Sequence, residues 1–133
     1  MLTVVRYLAD ASAITRLTHP DVAAELSPLI AAGQVATCGF IDMELYALVR
    51  DPVELAKVRA NRALAFPWLA ATDEDLRRAL EIQQAALPEH TYHWPKLLVA
   101  AVAERHRVTL LHHDAIFDRI AEVTGQAAQW LGR

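Results

Sequence analysis

The chain has 133 residues, 54% of them apolar and 22% charged, with a formal net charge of −3. That size and apolar fraction suit one folded domain spanning 1–133 and exclude a disordered chain. No apolar run reaches the roughly 18–20 residues that span a bilayer, no secretory leader is visible at the N-terminus, and the acidic balance gives no overall attraction for nucleic acid. The single cysteine, Cys38, cannot close an internal disulfide, which fits a reducing cytoplasm. With no basic neighbour to activate it, Cys38 reads as a small core residue.

TVVRYLA (3–9) is a β-branched and aromatic run that predicts a strand, and DASAITRL follows at once as a helix with a capping-type start. PDVAAELSPLIAAG (20–33) reads as an amphipathic helix closed by Gly33, despite Pro28. QVATC (34–38) predicts a second strand and GFIDMELYALVR (39–50) a strongly apolar helix. DPVELAKVRANRAL (51–64) starts a helix with Asp51 as cap and Pro52 next to it. FPWLAA (66–71) is expected as a strand, and TDEDLRRALEIQQAAL (72–87) as a helix with acids in its first turn. A loop (PEHTYHW) leads to a helix over 95–105, a strand VTLLH (108–112), a helix from 114 to about 123 and a short last strand around QAAQWL. Strands alternating with helices specify an α/β three-layer sandwich, helices on both faces of a mainly parallel sheet. In such folds the working site lies beyond the carboxyl ends of the strands.

Two acids fall there. Asp10 directly follows the first strand and Asp114 follows VTLLH. Either alone would read as a helix cap; two at equivalent ends of parallel strands point to one shared edge. Glu44 joins them because its helical neighbours Ile41, Ala47 and Leu48 are apolar. A carboxylate on such a surface is costly unless paired or bound to a cation. Asp42, on a different face, reads as an ordinary solvated acid. Asp10, Glu44 and Asp114 together suit a hard divalent ion, Mg²⁺ or Mn²⁺, which can activate water against a phosphodiester. Ser12 is placed either to bond an acid or metal-bound water or to bond its own helix backbone, and Asp118 is either an outer acid of the site or a polar face. His112 and His113 point to opposite faces of a strand end and do not share an ion. Arg50, Lys57, Arg59 and Arg62, and then Arg105, His106 and Arg107, read as solvated basic faces compatible with phosphate contacts. Trp68, Trp94 and Trp130 are scattered and read as structural.

RYLADASA, FIDMELYAL and PKLLVAAVAERHRVTLLHHDAIFDRIA, in this order, resemble the PIN domain, in particular the VapC-type toxins of bacterial toxin–antitoxin pairs. The resemblance covers essentially the whole chain. It implies a Mg²⁺- or Mn²⁺-dependent ribonuclease, usually a homodimer, held inactive by a cognate VapB-type antitoxin. It also implies site roles for Asp10 with its companion Ser12, for Glu44 as the second acid and for Asp114 as the fourth.

The third acid is missing. The family has Asp after the proline that opens this helix, and here the residue is Lys96; a further acid two places beyond the fourth is replaced by Ile116. Lys96 also sits in the first turn of its helix, where the dipole disfavours a cation by roughly 0.3–1 kcal/mol. Two unit charges about 4 Å apart interact by roughly 4 kcal/mol at an effective dielectric of 20, and a divalent ion doubles this. Metal binding is therefore expected to be severely weakened. The lysine is either a natural feature of a weakened or repurposed nuclease or a substitution introduced to silence a toxic one. It is placed to pair with Asp10, Glu44 or Asp114 and to hold the pocket without metal. The alternative to an enzyme is an inactive PIN module that binds an antitoxin or forms a dimer surface. A phospho-accepting receiver is disfavoured because Asp10 lies between Ala9 and Ala11 and FPWLAA ends without an acid.

Overall fold

Leu8 and Ala9 are neighbours in sequence and both buried, yet they belong to cores on opposite sides of one sheet. In the computed structural model, which describes residues 4–132, the elements are β1 (Tyr7–Ala9), α1 (Ala11–Ile14), α2 (Pro20–Ala31), β2 (Val35–Ala36), α3 (Gly39–Tyr46), α4 (Pro52–Ala65), α5 (Asp73–Ala86), α6 (Trp94–His106), β3 (Thr109–His112), α7 (Ala115–Thr124) and β4 (Ala128–Trp130). The strands lie in the order β2-β1-β3-β4, every pair parallel. Leu8 pairs with Ala36 on one side and Leu110 on the other; Ala9 pairs with Leu111.

Because side chains alternate across a strand, this register sorts the core. Leu8, Ala36 and Leu110 face Ile41, Ile82, Phe117, Ile120 and the apolar run of α6. Ala9, Val35 and Leu111 face Ala13, Val22 and Leu26 of α1 and α2. Helices on both faces of a parallel sheet make the expected three-layer α/β/α sandwich. α6 is its central helix: Lys96 through Ala103 are all buried. A helix apolar on every side has to lie inside, and the one charge within that run is Lys96.

Most sequence expectations differ from the structure only at element ends. Residue 3, the start of the first predicted strand, lies outside the described residues. Gly33, at φ +72°, follows α2 in the left-handed conformation that glycine adopts without strain. Thr72 and Asp75 cap α5 reciprocally. FPWLAA is a correction: it is not a strand. It touches the edge of the sheet through one bridge, Thr37 to Trp68, with Thr37 N–H on Pro67 O and Leu69 N–H on Thr37 O, each 2.9 Å. Pro67 has no N–H to extend the ladder. Among the described residues no helix is long and apolar enough to cross a membrane.

Candidate functional site

β1 and β3 are adjacent, so their carboxyl ends deliver Asp10 and the segment 112–114 to the same edge. The Asp10 N–H donates to Leu111 O at 2.9 Å, which fixes the first acid beside the neighbouring strand. Asp10 is fully buried and caps α1, its Oδ2 accepting from the Ser12 N–H at 2.9 Å. A buried carboxylate needs a partner of opposite charge, and that partner comes from α6. Lys96 Nζ lies 2.9 Å from Asp10 Oδ2, 3.2 Å from Asp10 Oδ1 and 2.9 Å from Glu44 Oε2. Glu44, on α3, is half-buried, and Lys96 closes the triad from below, 5.6 Å from the centroid of the Phe117 ring.

Asp114 lines the same pocket, of about 320 Å³, together with Ser12, Thr15, Glu44, Leu48 and Lys96. Its Oδ1 accepts from the Ile116 N–H at 3.1 Å and so caps α7. Glu44 and Asp114 therefore share one pocket wall with Lys96, and the lysine ties the buried Asp10 to Glu44. The Ser12 hydroxyl oxygen accepts from the His113 N–H at 3.0 Å, tying α1 to the end of β3. Asp118 does not line the pocket. It is exposed and accepts from His112 Nε2 at 3.1 Å.

The electrostatics favour the lysine as a fixed cation. Burial works to lower its pKa, but Asp10 and Glu44 outweigh burial and hold the ammonium above the ordinary lysine range. The helix-dipole conflict at this position is offset by two charge-assisted hydrogen-bonding partners. A resident divalent ion does not fit this arrangement. The ammonium takes up the oxygens of Asp10 and Glu44 that would bind it, and among the described residues no group of three or more His, Cys, Asp or Glu side chains is disposed to hold a metal.

His112 and His113 do point apart. His112 is fully buried, with Nδ1 accepting from the Asp114 N–H at 3.3 Å and Nε2–H directed at Asp118. Burial depresses its pKa more than Asp118 raises it, so the ring is held neutral. His113 instead bonds Leu131 O through Nδ1 at 2.6 Å. Cys38 is buried as expected, and burial pushes its thiol up to about 11, which leaves it inert.

Asp42 is the clearest departure from the sequence reading. It is buried, not solvated: Oδ1 accepts from Arg62 Nη2 at 2.9 Å and Thr37 Oγ1 at 2.7 Å, and Oδ2 from Tyr46 at 3.2 Å. The i,i+4 spacing of Asp42 and Tyr46 was visible along α3. Arg62, twenty positions on in α4 and read with its basic neighbours as a solvated face, is buried instead, and no local pattern pairs it with Asp42. Arg105 is likewise committed, to Asp75 at 2.8 Å. Trp68 and Trp94 are mostly exposed, which is not what a structural role predicts.

Sheet and pocket define an α/β protein with an acid-lined site at the carboxyl edge of parallel strands. The PIN domain family model matches residues 7–123. The chain is 40% identical over 129 residues (96% of this chain, 93% of the relative) to Ribonuclease VapC51 of Mycobacterium tuberculosis strain H37Rv. It is 36% identical over 130 residues (95% and 94%) to Ribonuclease VapC21 of the same species. The solved structure of VapBC2 from Rickettsia felis bound to a promoter DNA fragment superposes with a TM-score of 0.77, at 13% identity, over 96% of this chain and all of that one. The chain belongs to the PIN-domain family, within its VapC type.

Proposed function

We propose that this chain is a ribonuclease toxin of a toxin–antitoxin pair whose reactive pocket is Asp10, Glu44 and Asp114, and that Lys96 holds that pocket in a weakened, metal-free state. The observation that carries the reading is the single ammonium 2.9 Å from both Asp10 and Glu44. It stands where the family has its third acid. The ribonuclease names of relatives at 36–40% identity over nearly the whole chain support the activity. Mg²⁺ or Mn²⁺ as the family's cofactor, a cognate VapB-type antitoxin, an RNA substrate and a homodimer are carried over from the family resemblance.

Replacing the cation by the family's acid tests this. Lys96→Asp is expected to create a site that takes Mn²⁺, read as a rise in thermal midpoint with added metal. Saturation to a hundred times Kd corresponds to about 2.7 kcal/mol; the unaltered chain is expected to show no rise. The variant should then cleave RNA in Mg²⁺ or Mn²⁺. A folded, metal-binding variant that leaves RNA intact overturns the nuclease assignment. Copurification with a small partner in that case would favour the second reading, an inactive module that sequesters an antitoxin, which the saturated Lys96 ion pair also suits.

A further inference from the structure

A second cavity, of about 570 Å³, is larger than the acid pocket and separate from it. It lies between α3, α4 and the segment 66–68, and its size falls within the range of small-ligand sites. Its floor is Arg62, a guanidinium that is more than nine-tenths buried. Nε and Nη2 are spent on Asp42 and Thr37. The remaining amino group, Nη1, has no hydrogen-bond partner among the described residues, yet it is not sealed from solvent. A solvent-accessible donor on the wall of a cavity is available to an acceptor that enters it.

The walls suit a planar ring. Trp68 is 61% exposed, and its indole edge packs at ordinary van der Waals distance beside Gly39. Tyr46 and Phe66 also line the cavity; Arg59 lies over the Tyr46 ring at 5.7 Å and Arg62 over the Phe66 ring at 4.5 Å. With Asp42 neutralised by Arg62, Arg59 gives the mouth a positive charge, whereas the acid pocket is negative. Met43 lines this cavity and a smaller one of about 220 Å³; Glu44 lines that smaller one and the acid pocket. α3 therefore strings three concavities in a row.

Resting on the ribonuclease reading above, we infer that this cavity is a subsite for an unpaired base of a single-stranded RNA: Trp68 is the stacking platform, Arg62 Nη1 donates to the base edge, and Arg59 holds a flanking phosphate. An aromatic surface beside a cation is the usual device for an unpaired base, since every base has a π-face and every nucleotide a phosphate.

The test is binding, measured in EDTA so that cleavage plays no part. A Trp94→Phe/Trp130→Phe background leaves Trp68 as the sole indole, and the probe is a short, end-labelled single-stranded RNA of mixed sequence. The RNA is expected to quench Trp68 where a duplex of the same sequence does not. Trp68→Ala should weaken binding by about 5- to 150-fold, and Trp68→Phe should keep most of it. Arg59→Gln should lower the salt dependence by about one phosphate contact. If RNA binds Trp68→Ala and Arg59→Gln as it binds the parent, the subsite is wrong and the ribonuclease reading stands. If RNA binds none of the proteins, Lys96→Asp included, both fall. Quenching of Trp68 by a copurified protein but not by RNA makes the cavity a protein-docking site and also overturns the inference.

Discussion

Lys96→Met isolates the ion pair at the centre of the molecule. The variant keeps an unbranched side chain of similar length in the same buried helix but leaves Asp10, which is fully buried, without its cation. Removing one partner of a buried pair costs about 3–5 kcal/mol. Two features of the site place the loss at the lower end. Asp10 retains the Ser12 N–H at 2.9 Å, and the Glu44 side chain, 36% exposed, can turn to water, so its half of the triad is worth only about 0–1 kcal/mol. The expected loss is about 3 kcal/mol, a large share of the roughly 5–15 kcal/mol that holds a domain together. For 133 residues at about 2.1 cal/mol/K each, that is a fall of about 11 °C in the thermal midpoint. Urea unfolding followed by circular dichroism measures it. The double variant Asp10→Asn/Lys96→Met, which removes both charges, should recover most of the loss. The pH dependence carries a sign as well. A lysine whose pKa is raised by folding stabilises fully below its unfolded value of about 10.4 and loses that contribution as pH climbs through the folded value. On the lysine side, the gap between parent and Lys96→Met therefore narrows in alkali, as the ammonium loses its proton. A single variant within about 0.5 kcal/mol of the parent at neutral pH would refute the reasoning, since that is the range of a featureless surface change.

Two further outcomes follow from buried groups outside the triad. Arg62→Met strands Asp42 with only Thr37 and Tyr46 as donors and should cost about 3 kcal/mol or more; Arg77→Met, which breaks the exposed pair with Asp73, should change the unfolding free energy by less than about 1 kcal/mol. His112 is held neutral by burial. Unfolding restores its affinity for a proton, so stability falls as pH drops below about 6.5. His112→Gln should flatten that decline; an equally steep decline in the variant assigns it to other groups.

The acid pocket was legible because its logic is partly local. Asp10 and Asp114 follow strands directly, and parallel pairing of β1 with β3 is enough to bring two strand ends to one edge. Glu44 was legible as a misfit, a carboxylate among Ile41, Leu45 and Leu48. Lys96 was legible as a double misfit, with the helix dipole and with the family's acid. Which acids it would choose was not: Asp10 lies 86 positions away and Glu44 52. Asp42 was read as solvated because its own helix offers it a polar spacing and no cation. Its burial depends on where α4 crosses, which no residue near position 42 encodes. FPWLAA has strand-like composition, but Pro67 at the sheet edge decides against it.

Taken alone, the amino-acid order determined the alternation of strands and helices, the all-round apolarity that sends α6 to the centre, and the presence of charges too costly to bury singly. These follow from periodicity and desolvation, which act within a few residues. Only the packed molecule decided which charges meet: that Lys96 saturates Asp10 and Glu44 while Asp114 stays a helix cap, and that Arg62 keeps one amino group open to a cavity. Ion pairs and cavities are set by distances across layers, and those distances exist only once the sheet has chosen its register and the helices have closed on both its faces.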